Sequence, residues 1–404
     1  MSNSSLDRIN VVDALRGFAL SGIVLIHMVE MYLANSIPKE LLAMLHQQPI
    51  DTVADAFVYW TISGKFFSLF SLLFGLSFFI QMDRAAKKGA DFKLKFLWRL
   101  ILLAGFGFLH RLFYPGDILI IYALIGVVLI SFNYLNNRMV FSIGILLFLG
   151  LGRYIAFAIW GSNPIVSPME NDMELGYLAM KNGSFMDVAL ASWNRLPGDI
   201  NWQLTPFMGR AYLTLGYFLI GMLLGKSRWL ENIGKHLKTL RMIMITSLIF
   251  YIGSVFIHLE LLGGTWSVIS NEYTNWPSMF MLTFFDLHCL FFTLFLATGF
   301  TLLFEKKWAT KTLNILSPYG RMALTNYVMQ SMLGSFIFFN WGLGLLGKLR
   351  AAEIFGLAIF ILILQVALSH LWLKHFKFGP LEWLWRSLTY FKIQPIKKMI
   401  DKNY

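Results

Sequence analysis

Apolar runs separated by short polar segments occupy nearly the whole chain, and each is close to the roughly 20 helical residues needed to cross a hydrocarbon core of about 30 Å. Ten such runs can be placed, at about 10–33, 56–81, 95–113, 117–133, 139–160, 206–225, 240–260, 277–304, 322–340 and 352–374. A backbone in lipid has to satisfy its own hydrogen bonds, so the pattern predicts an all-α, polytopic transmembrane helical bundle of about ten spans. A core shared by all spans makes 1–404 a single integral-membrane domain, with 161–205 an outer loop or cap and 375–404 a cytoplasmic interfacial tail. The first run is not expected to be a cleaved signal, because Asp13 and Arg16 interrupt its start and no small-residue cleavage pattern follows.

Composition narrows the class further. Of 404 residues, 57% are hydrophobic and 14% charged, where a soluble chain keeps about a quarter charged. An ordinary soluble enzyme and a disordered chain are excluded, and the single cysteine, Cys289, excludes a disulfide scaffold. The net charge of +12 would point to nucleic acid in a soluble protein. Here the basic residues fall between spans, so they set topology and no nucleic-acid partner is expected. Arg84, Lys87, Lys88, Lys93 and Lys95, then Lys226, Arg228, Lys235 and Lys238, then Lys306, Lys307 and Lys311 mark cytoplasmic loops. Segment 261–276 has no Lys or Arg, and 161–205 has only Lys181 and Arg195 against five acidic residues, so both are expected outside. Both termini then lie in the cytoplasm. The length of 161–205, with Pro164, Pro168 and Pro197, predicts a folded outer cap or a substrate-facing loop. Trp383, Trp385 and Arg386 predict an amphipathic segment at the inner interface.

Ionisable residues inside spans cost free energy and mark a pathway or reaction site. In VVDALRGFALSGIVLIHMVE, eleven residues separate Arg16 from His27. That is close to three turns, which puts both on one face about 16 Å apart. Glu30 is expected one turn beyond His27 on the same side. An Asp13–Arg16 interface pair with His27 bonded to a neighbouring helix would explain the same residues. In FLHRLFYPGDILIIYALIG, a Pro115–Gly116 turn brings His110, Arg111 and Asp117 together, and Asp117 either orients an imidazole or caps the fourth span. Lys65 is expected near the middle of the second span, where it must snorkel, pair or line a wet cavity. Asp286 and His288 lie inside the eighth span. Arg321, Asn326 and Gln330 follow a break at Pro318–Gly320, where Arg321 and helix N-terminal amides would make an anion site.

GLGLLG at 342–347 matches a dinucleotide fingerprint only by letters, since no strand precedes it; its glycines fit a tight connection. His27 and Glu30 are the only closely spaced metal-like pair within a span, and no metal is expected.

The stretches RINVVDALRGFALSGIVLIH, SGKFFSLFSLLFGLSFFIQMDRA, FLHRLFYPGDILIIYALIG, SPYGRMALTNYVMQSMLGSFIFFNWGLGLLG and FGPLEWLWRSLTY resemble, in order, the YeiB-like family of bacterial inner-membrane proteins, domain of unknown function 418. The first span also resembles the opening of two sets of membrane acyltransferases, the acyltransferase-3 and heparan-alpha-glucosaminide N-acetyltransferase types. Many YeiB-like proteins look to have Asn where this chain has His27, so the chain is more acyltransferase-like than those members. The resemblance implies a bacterial inner-membrane location, a cytoplasmic acyl-CoA or acetyl-CoA donor, and a small-molecule acceptor, often a sugar, reached from outside.

Three functional expectations follow. The first is an O- or N-acyltransferase in which Arg16 and Arg321 hold donor phosphates and His27 is the general base. Glu30 or Asp117 would orient that base, and His110 is a second candidate base. The second is a proton-coupled transporter or flippase using Lys65, His27, Asp117, Asp286 and His288. The third is a catalytically inert partner in an envelope complex.

Overall fold

The computed structural model describes residues 10–34, 37–45, 48–89, 93–161, 169–205, 210–262 and 275–398. Among them, regular structure is helical apart from one isolated antiparallel bridge between Phe376 and Lys397. Pro164, Pro168, most of loop 261–276 and Lys402 lie outside the described residues.

Among the described residues, five helical stretches are long and apolar enough to cross a membrane: Asn10–Leu33, Pro49–Ala86, Ile233–Leu259, Trp276–Phe304 and Ala351–His375. A bent pair would make a sixth. The protein is therefore an all-helical membrane protein. The first stretch is α1 (Asn10–Ile26) running on as a π-helix over His27–Ala34. It is the centre of the bundle, 78% buried, whereas α12 (Ile233–Leu262) at 22% lies on the periphery.

The short α2 (Lys39–Leu45) precedes α3 (Pro49–Thr61). The expected span 56–81 is interrupted after α3, because Gly64 takes φ +74° and α4 (Lys65–Ala86) starts afresh. Such a left-handed turn is open to glycine at little cost. Helices α5 (Lys93–Arg111) and α6 (Leu119–Phe132) form the expected hairpin. The expected span 139–160 is α7 (Asn137–Phe148) and α8 (Leu151–Trp160), bent by 53° with Gly150 at φ +71° between them. Segment 161–205 holds α9 (Met169–Asn182) and α10 (Phe185–Leu204). Ser184 caps α10, and its bonds hold the Asp187 carboxyl below the usual carboxylate range.

Beyond α11 (Arg210–Ser227), α12 leads to α13 (Trp276–Phe304), then α14 (Lys307–Leu313), α15 (Leu316–Arg321) and α16 (Ala323–Phe338). The expected break at Pro318–Gly320 falls at Met322 instead, since both residues are accommodated within α15. The described chain closes with α17 (Ala351–His375) and the amphipathic α18 (Pro380–Thr389).

Two backbone contacts hold the centre. A Cβ on Gly17 would lie 2.2 Å from the Leu316 oxygen, and one on Gly320 would lie 2.0 Å from the Asp13 oxygen. Helix α1 therefore touches α15 backbone to backbone. Gly75 of α4 and Gly221 of α11 repeat the arrangement, with clashes at 2.0 Å from Phe218 O and 1.9 Å from Leu72 O. Small residues permit this close approach, which substitutes for the hydrophobic drive missing between helices in lipid.

Candidate functional site

Helices α1, α5, α6 and α16 bring two imidazoles into one buried cluster. His27 begins the π-helical segment, and such turns are frequent at functional sites. Its Nδ1 lies 3.0 Å from Gln330 Nε2 and 3.3 Å from Ser331 Oγ, both on α16. With Gln330 donating, the His27 proton belongs on Nε2. His110, at the end of α5, places Nδ1 2.7 Å from Asp117 Oδ1. A carboxylate only accepts, so Nδ1 carries the proton and Nε2 presents a lone pair. That Nε2 is buried without a hydrogen-bond partner among the described residues. Asp117 Oδ2 also accepts from Ile120 N at 3.2 Å, so the carboxylate orients the imidazole and caps α6 at once.

Two tyrosines join the imidazoles. Tyr114 lies 4.8 Å from His27 and 5.5 Å from His110 between ring centroids, and Tyr327 lies 5.3 Å and 5.0 Å from them. The Tyr327 hydroxyl accepts from Ile118 N at 3.4 Å.

Two cavities adjoin this cluster, the smaller lined by Tyr327 and the larger by Asp117, while the two imidazoles line neither. The smaller, about 250 Å³, runs along Leu73, Phe74, Phe78 and Leu103 from Arg16, Arg99 and Arg321 to Tyr122, Ile118 and Tyr327. The larger, about 940 Å³, starts at Asp117 and Ile118 and is walled by α9 and α10 through Glu174, Tyr177, Arg195 and Trp202. Ile118 lines both. Arg111 clamps α10 to the hairpin through Asp199 and Ser192 O.

Three guanidiniums gather along the smaller cavity. Arg16 donates to Asp13 at 3.0 Å and to Ser77 Oγ at 2.9 Å. Arg99 stacks over the Trp385 ring at 4.3 Å, and Arg321 donates to Lys377 O at 3.4 Å. The expected anion site on the α16 amides is filled from within the chain. Glu382 of α18 takes Leu324 N at 2.7 Å, Thr325 N at 3.1 Å and the Thr325 hydroxyl at 2.6 Å. Burial pushes the Glu382 carboxyl above its usual range against the pull of these donors.

Other residues expected at the site differ in place or partner. Glu30 is bonded by Ser63 and has Arg210, Lys65 and Tyr114 as electrostatic neighbours, the last being the ring that contacts both imidazoles. A π-helix has a wider turn than an α-helix, so three residues fall well short of one turn. Asp117 orients His110 rather than His27. Lys65 opens α4 instead of sitting mid-span, and donates to Tyr59 O at 2.8 Å. Asp286 accepts from Arg153 and from Tyr212, each at 2.6 Å, while Arg153 also meets Thr283 Oγ1 at 2.8 Å. His288 Nδ1 lies 2.7 Å from Ser254 Oγ. Asn326 donates to Tyr319 O and Ser369 Oγ, which ties α16 to α17. Among the described residues, no three His, Cys, Asp or Glu side chains come together as metal ligands.

Comparison with known proteins places this architecture. A family model described as "Protein of unknown function (DUF418)" matches residues 224–392. The chain is 31% identical to "Uncharacterized protein YxaH" of Bacillus subtilis (strain 168), across 97% of this chain and 96% of the relative. The chain belongs to the DUF418 family. It is also 28% identical to "Uncharacterized protein YeiB" of Escherichia coli (strain K12), across 95% of this chain and 97% of that one. The "Uncharacterized 39.9 kDa protein in amylase 3'region" of Bacillus acidopullulyticus is 27% identical across 98% of both chains. No solved structure matches.

In this DUF418 chain, sequence reasoning overlooked Tyr114, Tyr327, Arg99 and Arg153. Arg153 carried a usable signal, being an arginine within an expected span. Tyr114 stands between His110 and Asp117 in the same hairpin, a spacing that placed it near the cluster. Nothing local marks Tyr327, which reaches the His110 ring from α16, a helix packed on α1, its π-helical extension and α18.

Proposed function

We propose that this DUF418 protein is an integral-membrane acyltransferase that takes a short acyl group from cytoplasmic acyl-CoA and delivers it to an acceptor on the other side. The observation carrying this reading is the imidazole of His110, oriented by Asp117, which lines the larger cavity, while Tyr327, in ring contact with both imidazoles, lines the arginine-bearing one. The smaller cavity is below the roughly 300–1,000 Å³ of pockets that enclose a whole ligand. It suits an extended arm whose phosphates remain near Arg99 and Arg321. The tight ring packing beyond that arm favours a short acyl group.

In this scheme His110 Nε2 takes the proton of the acceptor X–H as the X–C bond forms. His27, with Nε2–H directed by Gln330, hydrogen-bonds the thioester. The C–S bond then breaks, and the sulfur leaves with its electron pair and receives the proton from His110. The sum is acyl-S-CoA + X–H giving acyl-X + CoA-SH, with no further reactant.

The topology that fits is ten crossings of the bacterial inner membrane, both termini cytoplasmic. The crossings are α1, α4, α5, α6, α7–α8, α11, α12, α13, α16 and α17. Short α6 and α16 fit because their ends abut protein and cavities rather than lipid. The proton-coupled pathway has weaker support, since Asp286 is committed to Arg153 and Lys65 to Tyr59 O.

Purified protein given acetyl-CoA, with water as the acceptor, should release CoA thiol, and His27→Ala should lower that rate about 10²–10³-fold through loss of the hydrogen bond to the thioester. Proton-gradient-driven solute uptake without any thiol release would refute the enzyme and favour the transporter.

A further inference from the structure

We propose that the Tyr114 phenol is a catalytic hydrogen-bond donor to the oxygen that gains negative charge when the acyl carbon is attacked, a role that rests on the acyl-transfer reading. Tyr114 is 1% exposed, and its hydroxyl has no hydrogen-bond partner among the described residues. A buried polar atom left unpaired costs about 1–3 kcal/mol, and phenylalanine would avoid that cost while filling the same space. Of the neighbouring phenols, one donates within the protein and the other accepts a backbone N–H. Tyr32 donates to Ser331 O at 2.8 Å and lies 3.0 Å from Ser335 Oγ, and the Tyr327 hydroxyl takes Ile118 N.

Position supports the same role. The Tyr114 ring contacts both imidazoles, and its backbone N–H donates to His110 O at 3.0 Å, so the phenol and the base belong to one turn. The hydroxyl faces Gly116. A Cβ on that glycine would lie 2.8 Å from it and 2.4 Å from Met31 Cε. Gly116 and Met31 both line the larger cavity, so no side chain at 116 stands between the phenol and that wall. A polar donor kept unpaired in a dry setting beside a general base is the arrangement that stabilises an oxyanion.

The step balances without another reactant. As X attacks, the carbonyl π pair moves onto oxygen, and the Tyr114 O–H donates a hydrogen bond to that oxygen and keeps its proton. When the intermediate collapses, the pair returns to re-form C=O as the C–S bond breaks. His110 carries the mobile proton throughout.

The test is Tyr114→Phe, assayed for thiol release from acetyl-CoA in the purified full-length protein. The expected result is a kcat lowered about 10²–10³-fold, with KM for acetyl-CoA within about twofold and an unchanged pH profile, because the base is intact. The thermal midpoint without substrate should be equal to or above that of the wild type. An active wild type with an equally active Y114F overturns this role alone. So does a Y114F whose midpoint falls in step with its activity, since the phenol would then be a structural bond. A wild type inert toward acetyl-CoA overturns the acyl-transfer reading and this role with it.

Discussion

Asp117→Asn should lower thiol release from acetyl-CoA by about 10³–10⁴-fold while leaving the fold intact. The carboxylate accepts from His110 Nδ1 at 2.7 Å and from Ile120 N at 3.2 Å. An asparagine can keep its carbonyl oxygen on the Ile120 amide, which preserves the helix cap. Its NH₂ group then faces His110 Nδ1, and that nitrogen has to become the acceptor. The imidazole proton moves to Nε2, and the lone pair that would receive the acceptor's proton is lost. A wrong tautomer in an intact site costs far more than a lost cap, which is worth about 0.5–2 kcal/mol. Steady-state kinetics beside thermal denaturation separates the two. A D117N protein with wild-type turnover would mean the His110–Asp117 pair is only a structural link between α5 and α6.

Asp286→Ala should destabilise the protein by about 3–5 kcal/mol, the cost of leaving the buried Arg153 guanidinium without its counter-charge. Arg153 is 1% exposed and is held by Asp286, Tyr212 and Thr283. Joint replacement by Arg153→Met and Asp286→Leu removes both charges together and should come close to wild-type stability. Thermal midpoints in detergent distinguish these outcomes. A D286A protein of wild-type stability that has lost activity would put Asp286 back on a functional path and contradict the structural role.

Helix positions were legible in the sequence because the apolar periodicity needs only local reading. Breaks within the helices were less so. The left-handed glycines at 64 and 150 divide two expected spans, and their conformation depends on what packs against the turn. The His110–Asp117 pair was readable because both residues flank a Pro–Gly turn too short to separate them. Glu30 was expected one turn beyond His27 from α-helical spacing, whereas the segment winds as a π-helix. The helix N-terminus near Arg321 was recognised as an anion site, but its anion is Glu382, 58 residues from Leu324 in the chain. Partner choice of that kind is set by tertiary packing. For the same reason Asp286 and His288, two residues apart in one helix, belong to different clusters.

Sided transfer across a sealed membrane bears most directly on the role assigned to the two cavities. Proteoliposomes sorted for an outward-facing C-terminal tail would receive acetyl-labelled acetyl-CoA outside only, and label would be followed inside and out. Labelled acetate or acetylated product should accumulate in the lumen, and His27→Ala vesicles should not accumulate it. Label released only on the donor side, or entering equally well without His27, would contradict transfer through the imidazole cluster.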